Sequence, residues 1–135
     1  MAVKHLKLRD LRELKKVMES KVKIRRYAKF EEALLASSTM FGWGPIEFEF
    51  KFHPVRKWRA DYAFPSAKLL MEVEGGFFSG GRHSRGGGAV KDMEKYNMAE
   101  IMGYHILRFI PSQVEKLEAL GSIGAWFSQN KRETI

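Results

Sequence analysis

Three acidic residues lie close together in a segment that alternates apolar and polar positions. Asp61 is followed by ten other residues and then by Glu72 and Glu74, which a single valine separates. The residues at 65–67 predict a tight turn between two strands, and side chains two apart on a strand share one face. A turn centred between Ser66 and Ala67 pairs residues whose numbers add to 133. Asp61 then lies opposite Glu72, and Arg59 lies opposite Glu74.

Two carboxylates directly opposite each other destabilise a sheet, so this register requires a compensating positive charge. One interpretation is a surface ion network in which Arg59 neutralises the acids. The other is a site for Mg²⁺ or Mn²⁺, because these ions prefer oxygen ligands and bind through a few carboxylates together with substrate phosphate. A cation held there activates water and stabilises the charge of a phosphoryl displacement.

The composition limits the partners and the compartment. The formal net charge of +8 indicates an acidic partner, of which nucleic acid is the commonest and an anionic membrane surface the alternative. The absence of cysteine excludes disulfides and thiolate metal sites. Because no stretch is long and apolar enough to span a bilayer or to serve as a signal peptide, the sequence predicts an intracellular protein that does not enter the membrane.

The hydrophobic pattern predicts a mixed α/β domain. Ile46, Phe48, Phe50 and Phe52 alternate with polar residues and are expected on one face of the first strand. Gly103 is placed to end the helix before the last strand, and Ser112 to cap the final helix with Glu115. The predicted elements are a helix at 4–20, a basic link at 21–29, a helix near 30–37, strands at 46–52, 57–64 and 68–74, a helix at 89–102, a strand at 104–110 and a helix at 112–129.

Several longer runs, taken together, resemble the PD-(D/E)XK nuclease superfamily. The resemblance covers roughly residues 30–109 and is to small bacterial and phage endonucleases, including archaeal-like Holliday-junction resolvases and relatives of the mismatch-nicking Vsr enzymes. The runs that carry it are FHPVRKWRADYAFP at 52–65, EVEGG at 72–76, GGRHSRG at 80–86 and KDMEKYN at 91–97.

The resemblance implies a restriction-endonuclease-like core, with a mixed central sheet flanked by helices and an extra N-terminal helix. The single domain, 1–135, then divides into a basic helix and link at 1–29, a catalytic core at 30–110 and a C-terminal helix at 111–135. The implied activity is metal-dependent hydrolysis of DNA phosphodiesters with Mg²⁺ or Mn²⁺, most concretely in a four-way junction. Such an enzyme acts in the cytoplasm, including a host cytoplasm if a phage carries the gene.

The family pattern implies that Asp61 and Glu72 ligate the metal, but Glu74 stands where the motif lysine is expected. Some of these nucleases supply the lysine from a neighbouring helix, which favours Lys95 first and Lys91 second as the substitute. Alternatively, Glu74 is itself a ligand or base and no lysine is used.

The family also places a metal-ligating glutamate on the helix before the first strand. Alignment on Phe30 favours Glu31 over Glu32 for this role. Other basic residues are expected to meet DNA phosphates beside the acidic site. They are Arg56, Lys57, Arg59, Arg82, His83 and Arg85.

Resolution of a junction by two symmetric cuts implies a homodimer, for which the first and last helices are candidate surfaces. The nearest alternative is a Vsr-like nicking enzyme, which predicts a monomer. A catalytically inactive DNA-binding module is the alternative from another class, and the missing motif lysine favours it. The glycine-rich segment at 75–88 lacks both common nucleotide-binding motifs, so no nucleotide cofactor is expected.

Overall fold

The computed structural model describes residues 8–75 and 87–130, which form an α/β fold with a mixed four-stranded sheet. The predicted mixed α/β class is therefore confirmed. The elements in chain order are α1 (Leu8–Arg25), α2 (Ala28–Phe41), β1 (Glu47–Lys51), β2 (Arg59–Phe64), a 3₁₀ turn (Pro65–Ala67), β3 (Leu69–Val73), α3 (Gly87–Ile101), β4 (His105–Phe109), α4 (Pro111–Glu115) and α5 (Glu118–Gln129).

The strands follow one another across the sheet in the order β1-β2-β3-β4. The first three form antiparallel pairs, and β4 lies parallel to β3. A parallel neighbour requires a crossover connection, which here includes α3. This crossover brings α3 onto the sheet beside β3, the strand that carries Glu72.

The register predicted for the β2–β3 hairpin is confirmed. Tyr62 pairs with Met71 and Phe64 pairs with Leu69, so paired residue numbers add to 133. The 3₁₀ turn at Pro65–Ala67 fixes this register, and Lys68 closes the turn with a left-handed φ of 57°. The Lys68 backbone N–H donates to the carbonyl of Pro65 at 3.1 Å.

Two apolar clusters pack on the two faces of the sheet. On one face, α2, α4 and α5 pack on β2 and β3 around Phe30, Phe64 and Ile123. On the other face, α3 contributes Ala99 against Leu70. Since Glu72 lies two residues after Leu70, its side chain is directed to the α3 face.

The expectation that Ile46, Phe48, Phe50 and Phe52 share one face is wrong. The Phe48 ring lies 5.3 Å from the Tyr62 ring, whereas Phe50 and Phe52 pack with the cluster beneath α3. Between them Glu49 has a φ of 52°, a left-handed conformation that is uncommon for a residue other than glycine. This single residue reverses the alternation of faces along β1.

Asp61 lies opposite this reversal. Phe48 pairs with Tyr62 and Phe50 pairs with Ala60, so Glu49 and Asp61 face each other in the register. Tyr62 and Ala60 also belong to clusters on different faces of the sheet. The regular pleat is therefore interrupted at Asp61, which allows its carboxylate to bond in the plane between two strands.

We expect Glu49→Gly to be more stable than Glu49→Val by about 1 to 2 kcal/mol, because a β-branched residue tolerates a left-handed φ poorly. Urea unfolding of the two variants measures this difference. An ordinary strand residue would give the reverse order, since valine favours strands and glycine weakens them. Valine at or above glycine would therefore contradict the assigned distortion.

The predicted final helix is two helices. Leu117 adopts a left-handed φ of 65° between α4 and α5, which turns the chain so that both helices face the same core. The expected cap at Ser112 is also wrong. The residue before α4 is Ile110, and its backbone N–H donates to the Oε1 of Gln113 at 3.0 Å.

The N-terminal prediction also needs correction, because most of the basic link at 21–29 is helical. Helix α1 continues to Arg25, and α2 begins at Ala28. The apolar residues Leu8, Leu11 and Leu14 of α1 are exposed. No helix among the described ranges, 8–75 and 87–130, has the length and apolar character needed to cross a membrane.

The last helix belongs to the core of this chain. Ile123 of α5 is buried, and Leu120, Trp126 and Phe127 pack against the same cluster. The last helix is one of the two candidate dimer surfaces, and packing within the chain accounts for most of its apolar residues. Leu117, which precedes α5, is partly exposed.

Candidate active site

Asp61 lies on β2 and is half-buried. Its Oδ2 accepts the backbone N–H of Val73 at 2.7 Å, across the gap to β3. This bond joins the two strands just beyond the paired residues Tyr62 and Met71, from the residue before Tyr62 to the second residue after Met71. It holds the Asp61 carboxylate beside the backbone that carries Glu72.

Glu72 is buried on the α3 face, with 9% of its surface exposed. Its Oε1 accepts from the Nζ of Lys95 in a short ion pair. Lys95 also donates to the backbone carbonyl of Arg59 at 2.7 Å. The lysine that sequence reasoning favoured therefore reaches Glu72 and bridges β2 and β3, whereas Lys91, one helical turn earlier, is exposed.

Burial raises the pKa of Glu72 to about 7. The hydrogen bond and positive charge of Lys95 oppose this rise, and the negative charges of Asp61 and Glu74 add to it. The carboxylates of Asp61 and Glu74 therefore lie close enough to Glu72 to raise its pKa. A buried carboxyl that titrates near neutrality and pairs with a lysine is a candidate functional group.

Glu74 has partners of its own. Its Oε1 accepts from the Tyr96 hydroxyl at 3.0 Å and from the Arg108 Nε at 2.6 Å. The Arg108 guanidinium also lies over the Tyr96 ring, 4.1 Å from its centroid. Tyr96 and Arg108 were missed from sequence, although Tyr96 adjoins Lys95, and Arg108 lies on the strand that pairs with β3.

The compensating charge does not come from Arg59, which was expected opposite Glu74. Arg59 pairs with Lys51 in the β1–β2 register, and its Nε lies 4.0 Å from an oxygen of Glu49. The acids are instead compensated by Lys95 from α3 and Arg108 from β4. This difference arises because β2 is distorted at Asp61 and because the crossover helix α3 brings Lys95 to the acids.

Glu31 approaches from the opposite face of the sheet. Its Oε1 accepts from the Tyr62 hydroxyl at 2.8 Å, and burial raises its pKa against that hydrogen bond. Burial also raises the pKa of Tyr62, and the charges of Glu31 and Asp61 add to the effect. Glu31 therefore points inward onto Tyr62, the residue after Asp61 on β2, whereas Glu32 is exposed.

The candidate ligands are carboxylate oxygens, the type that hard cations such as Mg²⁺ prefer, but they are few. No group of three or more His, Cys, Asp or Glu side chains in the described part of the chain is arranged to hold a metal ion. Mg²⁺ is commonly bound through one or two carboxylates together with waters and substrate phosphates. Asp61 and Glu72 are the residue types that such a site needs. Like Glu31 and Glu74, each already accepts a hydrogen bond from a protein group.

Three of the expected DNA-contacting residues, Arg56, Lys57 and Arg59, lie in the part of the chain that the structure describes. Arg56 forms an ion pair with Glu94 at 3.2 Å, and its guanidinium lies 4.5 Å from the centroid of the Trp58 ring. His53 Nδ1 accepts the backbone N–H of Arg56 at 2.8 Å, which shapes the loop before β2. Lys57 is exposed. Arg82, His83 and Arg85 lie outside the described residues.

Comparison with known proteins assigns neither a family nor a function to this chain. No family model, curated protein or solved structure matches this chain. The functional argument therefore depends on the geometry and charge of the site.

Proposed function

We propose that this protein is a divalent-metal-dependent DNA endonuclease with a restriction-endonuclease-like core. The observation that carries the proposal is the buried ion pair of Glu72 and Lys95 beside Asp61. Two carboxylates and a lysine are the residue types that the PD-(D/E)XK pattern brings together. Here the lysine comes from α3 instead of from the position of Glu74.

The energetics of the ion pair support a functional interpretation. Removing two charges from water costs several kcal/mol per ion, so a buried salt bridge is weak support for stability. The side chains of Lys95 and Glu72 are 15% and 12% exposed, so both pay this cost. Such an arrangement is expected where a charged group must be held ready for a reaction.

The residues have separate roles in this proposal. Asp61 and Glu72 hold a Mg²⁺ or Mn²⁺ ion, which supplies Lewis-acid activation of water and of the scissile phosphate when bound. Lys95 donates hydrogen bonds to the developing negative charge or orients the attacking water. The net charge of +8 draws the DNA backbone toward the site.

The proposed substrate is branched DNA, most concretely a four-way junction, which a homodimer would cut symmetrically in the cytoplasm. The second candidate function is a DNA-binding module that lacks cleavage. The observation that favours it is that protein groups already bond all the candidate carboxylates, Asp61, Glu72, Glu74 and Glu31. An ion must displace some of these partners for the enzyme to work.

A labelled four-way junction and a linear duplex of matched sequence distinguish these functions. We expect paired nicks at symmetric positions in the junction with Mg²⁺, and none with a chelator. Single nicks in a duplex would instead support a nicking enzyme. Binding of both DNAs without cleavage in either Mg²⁺ or Mn²⁺ would support the non-catalytic module.

We expect Mn²⁺ affinity to rise with pH up to about 7 and then to level off. In the metal-free protein, burial keeps Glu72 protonated up to a pKa of about 7, so a proton competes with the ion below that pH. Below 7 the dissociation constant should change about tenfold per pH unit. Titration followed by water-proton relaxation measures it, with Glu72→Gln as the variant that loses the dependence. A midpoint near the ordinary glutamate value would contradict the prediction.

A further inference from the structure

Glu74 occupies a special position, because it shares a strand face with Glu72 but does not bond to the same partner. Glu72 bonds to Lys95, and Glu74 bonds to Tyr96, the next residue on α3. Two adjacent helix residues thus each bond to an acidic residue, Lys95 to Glu72 of β3 and Tyr96 to Glu74 directly after β3. These two contacts together fix the position of α3 over the sheet and its rotation about its own axis.

We propose that Glu74, Tyr96 and Arg108 form a positioning cluster that holds Lys95 in its reactive geometry. The role of Glu74 is then to anchor α3 and not to ligate metal. This inference rests on the proposed nuclease function for its catalytic consequence, but the positioning of Lys95 can be observed without any cleavage.

Arg108 makes this anchor rigid. Its Nε donates to Glu74 at 2.6 Å while its guanidinium lies over the Tyr96 ring at 4.1 Å. It comes from β4, where it is the register partner of Glu72 in the parallel pair. Glu74 directly follows β3, whereas Tyr96 lies on α3 and Arg108 on β4, and each of the three contacts the other two.

The protonation state of Tyr96 suits this role. Burial raises its pKa, and the negative charges of Glu72 and Glu74 raise it further. The hydroxyl therefore remains a donor to Glu74 at any pH at which the protein would act. Rotation of α3 that broke this bond would also withdraw Lys95, whose Nζ must reach both Glu72 and the Arg59 carbonyl.

The cluster also explains why the helix supplies the lysine. A lysine at position 74 would lie beside Arg108, and like charges at this distance repel. A glutamate there is neutralised by Arg108 and gives α3 a fixed point of attachment. A lysine at position 95 instead of 74 reaches the site only if α3 is held in place, and Glu74 provides the contact that holds it.

The most specific test is Tyr96→Phe, which removes one hydroxyl and keeps the ring beneath Arg108. The primary readout is the ¹H–¹⁵N resonance of the Lys95 ammonium in the metal-free protein, assigned by its disappearance in Lys95→Met. An ammonium held by two acceptors exchanges slowly with water and is visible. We expect this resonance in the wild type and its loss or broadening in Tyr96→Phe. Tyr104→Phe, which removes a hydroxyl elsewhere, is the control and should keep it.

A pair of variants at position 74 separates anchoring from metal ligation. Glu74→Gln keeps an oxygen that accepts from Tyr96 and Arg108, whereas Glu74→Leu removes it. We expect Glu74→Gln to retain the Lys95 resonance and Glu74→Leu to lose it. Mn²⁺ affinity in Glu74→Gln should change only by the few-fold that follows from losing one nearby negative charge. If DNA is cut, the turnover number should fall roughly 10- to 100-fold in Tyr96→Phe with KM unchanged.

Three results would overturn the inference. They are a Lys95 ammonium that exchanges as fast as the exposed lysines in the wild type, a Lys95 resonance unchanged in both Tyr96→Phe and Glu74→Leu, and a large loss of Mn²⁺ affinity in Glu74→Gln. Absence of cleavage by the wild type would refute the nuclease proposal alone, because the Lys95 resonance still decides the positioning role. Thermal unfolding of each variant confirms that the fold is retained.

Discussion

Replacing Lys95 by methionine should lower the rate of DNA cleavage by roughly 100- to 1,000-fold, the effect of removing one preorganised donor to a developing negative charge. Methionine keeps an unbranched stem against α3 but has no charge and no N–H. Single-turnover cleavage measures the effect without interference from product release. The matched control is Lys91→Met, which makes the same change one helical turn earlier, at an exposed position.

The same variant should also lose stability in a pH-dependent way. Without Lys95, the pKa of Glu72 rises further above the value of about 7 that burial already imposes. A carboxyl whose pKa is raised on folding stabilises the protein while it is protonated and loses that contribution as pH rises through the folded-state pKa. We expect the loss at pH 8.5 to exceed the small loss at pH 5.5 by up to about 2 kcal/mol. While Glu72 stays protonated in the variant, each pH unit above 7 destabilises it by about 1.4 kcal/mol relative to the wild type.

Urea unfolding at these two pH values measures the difference. Equal losses at both would mean that Glu72 does not titrate between them. Cleavage by Lys95→Met at the wild-type rate would show that Lys95 only neutralises Glu72.

Asp61→Asn should lower cleavage by at least about 1,000-fold, or about 4 kcal/mol of transition-state stabilisation, while DNA binding is kept or strengthened. The amide is a weak metal ligand, but its oxygen can still accept the Val73 N–H that Asp61 accepts at 2.7 Å. The fold should therefore survive. Removing a negative charge that faces phosphate should favour binding.

Cleavage and junction affinity must be measured on the same preparation of Asp61→Asn. Glu32→Gln is the matched control, because it removes one carboxylate charge at an exposed position on α2. Loss of DNA binding in Asp61→Asn would mean that the site is misassigned. Wild-type cleavage by this variant would exclude Asp61 as a ligand.

The sequence could predict the parts of the site that follow from local geometry. The turn at Pro65–Ala67 determined the register of β2 and β3, and strand alternation then placed Glu72 on a definite face. The register and the face of Glu72 needed only short-range rules about turns and strands. Lys95 was favoured on other grounds, because the family resemblance implies a lysine supplied from a neighbouring helix.

The remaining features depend on tertiary packing, which a single sequence does not encode in any simple pattern. The left-handed residues Glu49 and Leu117 are not glycines, and no turn motif marks them. Arg108 meets Glu74 only because β4 lies parallel to β3 in one particular register. The expected pairing of Arg59 with Glu74 failed because the pleat reverses at Asp61, opposite the left-handed residue Glu49 of β1.

The most direct test of the account is metal-dependent DNA cleavage by the purified protein, compared with Asp61→Asn and Lys95→Met purified in the same way. The substrates are a labelled four-way junction and a supercoiled plasmid, each incubated with Mg²⁺, Mn²⁺ or chelator. We expect the cleavage activity to co-elute with the wild-type protein in the final chromatography step. The activity should require a divalent ion and should be lost in both variants. Absence of cleavage with either ion, or equal cleavage by wild type and Asp61→Asn, would contradict it.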